Sequence, residues 1–135
     1  MRSAVKLTAF AGLLAFAAFT PEVAHAQEPA AFVIDEAAAK KGKSLFQARA
    51  CSGCHTIGKG KMAGPDLAHV TNRRTIEWLK LWLKDPPAMM ETDSTAKALL
   101  KQYNNMKMPN MKLTDEEALA LIHHMAKESL KVKEK

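Results

Sequence analysis

The sequence predicts an all-α fold, and two observations carry that prediction. Apolar residues recur at helical spacing in four separate segments, and the stretches joining them are marked by glycine, proline and asparagine. The chain has 135 residues, 20 Lys plus Arg against 14 Asp plus Glu, and 47% apolar and 25% charged residues. That length suits one domain, and the balance of charge and apolar content argues against wholesale disorder. Collagen and coiled-coil rods are excluded by composition, and two cysteines are too few for a disulfide scaffold.

Residues 1–26 are set apart from this domain. Arg2 and Lys6 precede an uncharged apolar run, Leu7 to Phe19, of thirteen residues, short of the roughly 20 that a spanning helix needs. Ala24-His25-Ala26 then offers a small-x-small cleavage site. The expectation is a secretory signal peptide cut after Ala26, with an uncleaved amino-terminal anchor as the alternative. Loss of Arg2, Lys6 and Glu22 leaves 109 residues with 18 basic against 13 acidic, a charge of +5. An exported protein rarely meets nucleic acid, and its lysines are scattered without interleaved aromatics. An acidic protein partner or an anionic membrane surface fits the charge better, without stable membrane insertion after cleavage.

Residues 27–34 carry Pro29 and no period, and read as a lead-in. Asp35 can cap a first helix in which Ala38, Gly42, Leu45 and Phe46 share one face and which runs directly into Cys51. Four glycines between Gly53 and Gly64 mark a loop that closes at Gly64-Pro65-Asp66-Leu67. From Arg74 to Lys84, Glu77, Lys80 and Lys84 form a solvent stripe opposite Trp78, Leu79, Trp82 and Leu83, so a helix is predicted there. Asp85-Pro86-Pro87 should stop it, and Met89 and Met90 fall in the loop expected to follow. Asp93 or Ser94 can cap a third helix bearing Ala96, Leu99, Leu100 and Tyr103, which Asn104-Asn105 ends. Thr114 to Glu117 is a capping box opening a last helix with Ala118, Leu121, Ile122 and Met125 inward. The domain is thus expected over residues 35–130, and the lysine-rich tail, 131–135, is expected to fray. Four helices with such long loops make a core that looks too small for what it must hold.

Cys51-Ser52-Gly53-Cys54-His55 supplies what that core lacks. Two thiols three residues apart, followed at once by His, are the attachment spacing for a c-type haem. The thiols can add across two vinyl groups as thioethers, and His55 then reaches the iron. An exported chain agrees, since this haem is attached after export. A thioredoxin-like dithiol would need a preceding strand and a βαβ frame, for which there is no sign. A zinc site would need two further ligands at ordered spacing, which His69, His123 and His124 supply poorly. A disulfide across two intervening residues closes almost no loop and would add little stability.

Over residues 35–130 the chain resembles the small soluble bacterial class I cytochromes c. The resemblance rests on four features in order: the capped helix with Gly42 and Phe46, the Cys-Ser-Gly-Cys-His site, the Gly64-Pro65-Asp66-Leu67 loop, and Met108-Pro109-Asn110 followed by Leu113-Thr114-Asp115-Glu116-Glu117. It implies an all-α fold of four or five short helices wrapped round one covalently bound haem. It implies also that Met108 is the second axial ligand, with Met106 and Met111 a short loop shift away. Two filled axial positions leave no room for substrate, so electron transfer without enzymatic activity is expected, in the periplasm, by a monomer. The Pro65 carbonyl is expected to accept a hydrogen bond from the axial His. Arg73, and by its position Tyr103, are candidates to hold a haem propionate, against plainer readings as a solvated arginine and a core tyrosine. One departure is His124, where relatives usually place an aromatic that packs across Gly42 and Phe46. His123 and His124 are adjacent and point to different faces of a helix, which suits core or surface positions better than ligation. Lys43, Lys59, Lys61, Lys107 and Lys112 could ring the exposed haem edge and steer an acidic redox partner. The alternative function is a peroxidase-like enzyme or small-gas binder with an open sixth iron position.

Overall fold

The computed structural model describes residues 32–133; the predicted signal peptide, most of the lead-in and the last two residues lie outside the described residues. Among the described residues there are six helices, one 3-10 turn and no strand.

Helix α1, Glu36–Ala48, starts where the Asp35 carboxylate accepts the Ala38 N–H at 2.8 Å. It stops short of the cysteines: Arg49 is its C-cap, Ala50 takes the left-handed conformation at φ 54°, and Cys51–Gly53 form the 3-10 turn. After the glycine loop comes a single helical turn, α2, Val70–Arg73, and then α3, Ile76–Lys84, capped by the Thr75 hydroxyl on Trp78 N–H at 3.2 Å. Asp85-Pro86-Pro87 ends α3 as expected but opens another helix, α4, Pro86–Thr92, in place of the expected loop. The reason is local. Proline at the first helical position lacks only an N–H that would be unbonded anyway, and Asp85 caps Ala88 N–H at 3.3 Å. Helix α5, Ser94–Gln102, is capped by Asp93 and ends at Asn104 and Asn105, both left-handed with φ 54° and 58°. Helix α6, Asp115–Ser129, opens on the full capping box, Thr114 Oγ1 accepting from Glu117 N–H and Glu117 Oε2 accepting from Thr114 N–H.

Helices α1 and α6 pack against each other most extensively, and Gly42 is why they can approach so closely. A Cβ at Gly42 would lie 1.9 Å from the Ala120 carbonyl oxygen and 2.8 Å from His124 Cβ. The aromatic that His124 replaces is answered by the imidazole itself, which meets Phe46 edge-on at 5.4 Å. His123, also buried, accepts the Asp35 N–H on Nδ1 at 3.0 Å and lies against Phe32 with ring centroids 4.6 Å apart and planes tilted by 37°, fastening the chain just before α1. Helix α3 packs on α6, and Phe46, Leu79, Leu83, Leu121, Ile122 and Met125 form the core between them. Complete burial of Leu121 and Ile122 stabilises the fold by about 1.5–3 kcal/mol each.

The chain just beyond α6 is held at Val132, while residues 134–135 of the tail expected to fray lie outside the described residues. Val132 packs on Gly58, where φ is +86°, and its carbonyl lies 3.1 Å from His69 Nε2, while His69 N–H donates to Ser129 Oγ at 2.8 Å. The chain through Val132 is therefore fastened to the loop that follows the cysteines.

Candidate functional site

Beside the core the helices enclose an apolar cavity. Cys51, Cys54, His55, Gly64 and Pro65 line it from one stretch of chain, and Trp78, Leu79, Trp82 and Leu83 line it from α3. Leu99, Leu100 and Tyr103 contribute from α5 and its end, Met106 to Pro109 and Met111 from the following loop, and Leu121 and Met125 from α6. All but Arg73 of the site residues expected from sequence thus meet at one cavity, although Met108 is 53 residues beyond His55 in the chain.

The His55 ring is fixed on two sides. Its Nδ1–H donates to the Pro65 carbonyl at 2.9 Å, which leaves Nε2 as the nitrogen with a free lone pair. Gly64 presses on the ring: a Cβ there would lie 2.4 Å from Cε1 and 2.8 Å from Nδ1. Gly64 cannot retreat, since its N–H donates to the Cys54 carbonyl at 2.8 Å and its carbonyl accepts from Met62 N–H at 3.0 Å. Burial pushes the imidazole below its ordinary pKa, opposed by the hydrogen bond to Pro65, so the ring is neutral and suited to ligation at neutral pH. Cys51 is half-buried and Cys54 exposed. Burial pushes the Cys51 thiol up, against its backbone hydrogen bond and nearby Arg49, the reverse of what a nucleophilic dithiol needs.

Asp66 organises the loop that carries Pro65, a role the sequence did not disclose beyond the turn itself. Its carboxylate accepts from Gly58 N–H and Ala68 N–H at 2.8 Å, and from Gly60 N–H. Burial pushes the carboxyl up, but the hydrogen bonds from Gly58, Ala68 and Gly60, joined by Thr56, outweigh it and bring the pKa down to about 2.

Arg73, a candidate for a haem propionate, sits at the edge of the loop that carries Pro65. It does not line the cavity; its guanidinium donates to the carbonyls of Ala68 and of Asp66, the latter at 3.1 Å, so it braces the same loop. Arg74 instead lies over the Trp78 ring, 5.4 Å from its centroid, and Trp78 stacks on Trp82 at 5.5 Å with planes 7° apart. Both tryptophans line the cavity, a role the helical period could not distinguish from core packing. Tyr103 lines it too. Met108 is half-buried, whereas Met106 is 60% exposed. Of the five lysines named above, Lys107 lines the cavity, and Lys43 lies near His124 and Glu128 instead. Among the described residues no three His, Cys, Asp or Glu side chains gather so that they could hold one metal ion.

The family model for cytochrome c matches residues 39–129. The chain belongs to the cytochrome c family. Its fold is that of the class I cytochromes c, and members of the family bind haem and typically carry electrons. Among solved structures it is similar to a cytochrome c from Rhodothermus marinus, with TM-score 0.67 and 29% identity, over 73% of this chain and 83% of that one. The cytochrome c domain of a Pseudomonas putida protein is 42% identical with TM-score 0.58, over 67% of this chain and 89% of that domain. The chain is also 33% identical over 94 residues to a cytochrome c oxidase subunit 2 of Alkalihalophilus pseudofirmus. That match takes in 62% of this chain but spans about a quarter, 24%, of the relative's length.

The residues present fit a haem. The cavity offers a neutral imidazole with fixed tautomer and thioethers from Met106, Met108 and Met111, and Gly64 gives the cradle in which the His55 ring lies. The walls are apolar, as a macrocycle needs.

Proposed function

We propose that this cytochrome c is an exported, monomeric carrier of single electrons in the periplasm, its one haem joined to Cys51 and Cys54 and held at the iron by His55 and Met108. The single observation carrying the reading is the His55 ring, with Nδ1–H donating to Pro65 and a face against Gly64, in the same cavity as both cysteines and Met108. When bound, the haem supplies a one-electron iron couple. The protein's part is to hold that couple steady. The Pro65 hydrogen bond raises the basicity of His55 and fixes its orientation. The soft sulfur of Met108 favours the reduced state, and the walls of Trp, Leu and Met keep water out.

Three further observations support the reading. Among the described residues His55 is the only His or Arg that lines the cavity, whereas a peroxidase-like or gas-binding site would want a second one over the open iron position. The exposed Lys59, Lys61 and Lys107 suit an acidic redox partner met in brief contacts. The likeness to part of an oxidase subunit accords with such delivery.

The test is spectroscopic. Purified exported protein should retain haem through denaturation and acidic organic extraction. It should show sharp c-type bands when reduced and the weak far-red band of methionine sulfur on ferric iron, and Met108→Ala should lose that band. Two free thiols after denaturation would overturn covalent attachment. A high-spin ferric spectrum without the far-red band would put the open-site enzyme or gas binder first.

A further inference from the structure

The Met108 segment does not hold itself. From Asn104 to Thr114 the chain has no helix, and three of its residues, Asn104, Asn105 and Lys112, are left-handed at φ 54°, 58° and 54°. Asparagine tolerates that conformation better than most, but for Lys112 it is uphill. Its own Asn110 and side chains from elsewhere fasten the segment. Asn110 accepts Lys112 N–H on its own carbonyl oxygen at 2.8 Å and donates to the Asp85 carboxylate at 3.3 Å. Arg49 supplies the second fastening. Its Nη1 donates to the Met111 carbonyl at 3.4 Å and its Nη2 to Glu117 Oε1 at 3.3 Å. Glu117 in turn accepts the Thr114 N–H, so one arginine grips the segment at Met111 and reaches the residue that caps its end.

Arg49 is also the C-cap of α1, two residues before Cys51. It therefore joins the stretch carrying Cys51, Cys54 and His55 to the stretch carrying Met108. We propose that Arg49 is a positioning residue that keeps Met108 at the sixth iron position and sets how readily that position opens. The inference rests on the reading of Met108 as the sixth ligand. The capping box of α6 is complete without Arg49, so loss of the arginine leaves that cap in place while freeing the Met111 carbonyl. Glu117 is only 20% exposed against 39% for Arg49, so salt screens the pair incompletely.

The experiment measures how fast imidazole displaces the sixth ligand from the ferric holoprotein, followed by loss of the far-red band well below the unfolding temperature. Wild type is compared with Arg49→Gln, Arg49→Lys and Lys127→Gln. The last breaks the Lys127–Glu36 ion pair, which joins α1 and α6 at their other ends. Arg49→Gln should open roughly five- to tenfold faster, the loss expected of two charge-assisted hydrogen bonds that are partly exposed. Arg49→Lys should fall between, and Lys127→Gln should match wild type. If Arg49→Gln does not fold, Glu117→Gln, which removes the charge facing the arginine, should speed opening in the same direction. A lower unfolding temperature with an unchanged opening rate would overturn the inference, as would equal acceleration by Lys127→Gln. A wild-type protein lacking the far-red band would instead refute the Met108 reading, and this inference with it.

Discussion

Gly64→Ala tests the site at its tightest point. The added methyl carbon would stand 2.4 Å from Cε1, 2.8 Å from Nδ1 and 3.0 Å from Nε2 of His55. Carbon atoms in contact settle at about 3.5–4.0 Å, so one side must yield by roughly 1 Å. The Gly64 backbone is fastened to Cys54 and Met62 by hydrogen bonds of 2.8 and 3.0 Å. The ring yields, and its 2.9 Å bond to Pro65 stretches beyond hydrogen-bond range. Overpacking of this kind costs about 1–3 kcal/mol and the lost bond about 0.5–1.5 kcal/mol. Replacing glycine returns about 0.4–1 kcal/mol through the unfolded chain. The net loss is about 0.5–4 kcal/mol, and at its midpoint near 2 kcal/mol a domain near 100 residues loses roughly 8–16 °C of unfolding temperature. Thermal unfolding of the oxidised holoprotein measures it. A second readout is the reduction potential, which should rise, because His55 without its Pro65 partner is a poorer donor to ferric iron. Unfolding temperature and potential both equal to wild type would refute the contact between Gly64 and the ring.

The remaining expectations concern the helix crossing, the loop and the buried histidine. Gly42→Ala should destabilise by about 1–3 kcal/mol in urea titration despite a gain of about 1 kcal/mol in helix propensity, because its methyl would lie 1.9 Å from the Ala120 carbonyl oxygen. Asp66 is held at about 2 against an ordinary 3.8, so its contribution is complete above pH 3.8 and is lost as pH falls through about 2. Asp66→Asn should therefore flatten the fall of stability across that window, as followed by acid titration. Burial, aided by Lys43 and Lys131 and opposed by Glu128, holds His124 below its ordinary 6.5. The unfolded chain then takes up the proton first, and stability falls as pH drops below 6.5. His124→Phe should remove that slope, so its advantage over wild type in unfolding temperature should be larger at pH 5 than at pH 7; equal differences would contradict the assignment.

Local chemistry made much of this architecture legible in the sequence. The Thr114 capping box, the Asp35 cap and the Asn104-Asn105 stop all depend on residues within four positions of one another, and the structure places them where that chemistry requires. Asp85-Pro86-Pro87 was ambiguous for a physical reason: proline ends one helix and is equally at home in the first turn of the next, so α4 was concealed behind a true stop. Trp78 and Trp82 recur at helical spacing whether they face other side chains or a cofactor cavity, and periodicity cannot tell these apart. Arg73 and Arg74 are adjacent at a helix junction, and only folding shows that one braces the loop while the other stacks on Trp78.

The same distinction of range separates the two sides of the proposed iron site. His55 and its hydrogen-bond acceptor are ten residues apart, and the turn between them is closed by glycines and by one aspartate that gathers nearby backbone amides. The hydrogen bonds that shape this unit lie within its own segment, which is why the spacing of a few residues disclosed it, although Val132 from beyond α6 also packs on Gly58. Met108 has no comparable local frame. Its segment contains left-handed residues and is held by Arg49, 62 residues from Met111 and 68 from Glu117, and by Asp85, 25 residues from Asn110. A ligand fixed by its own turn keeps its geometry as long as that turn survives, whereas a ligand fixed by distant side chains can be released by losing one of them. The sixth position is therefore where substitution at sites remote in sequence should tune this cytochrome between a closed electron carrier and an open iron, while the His55 side stays as it is.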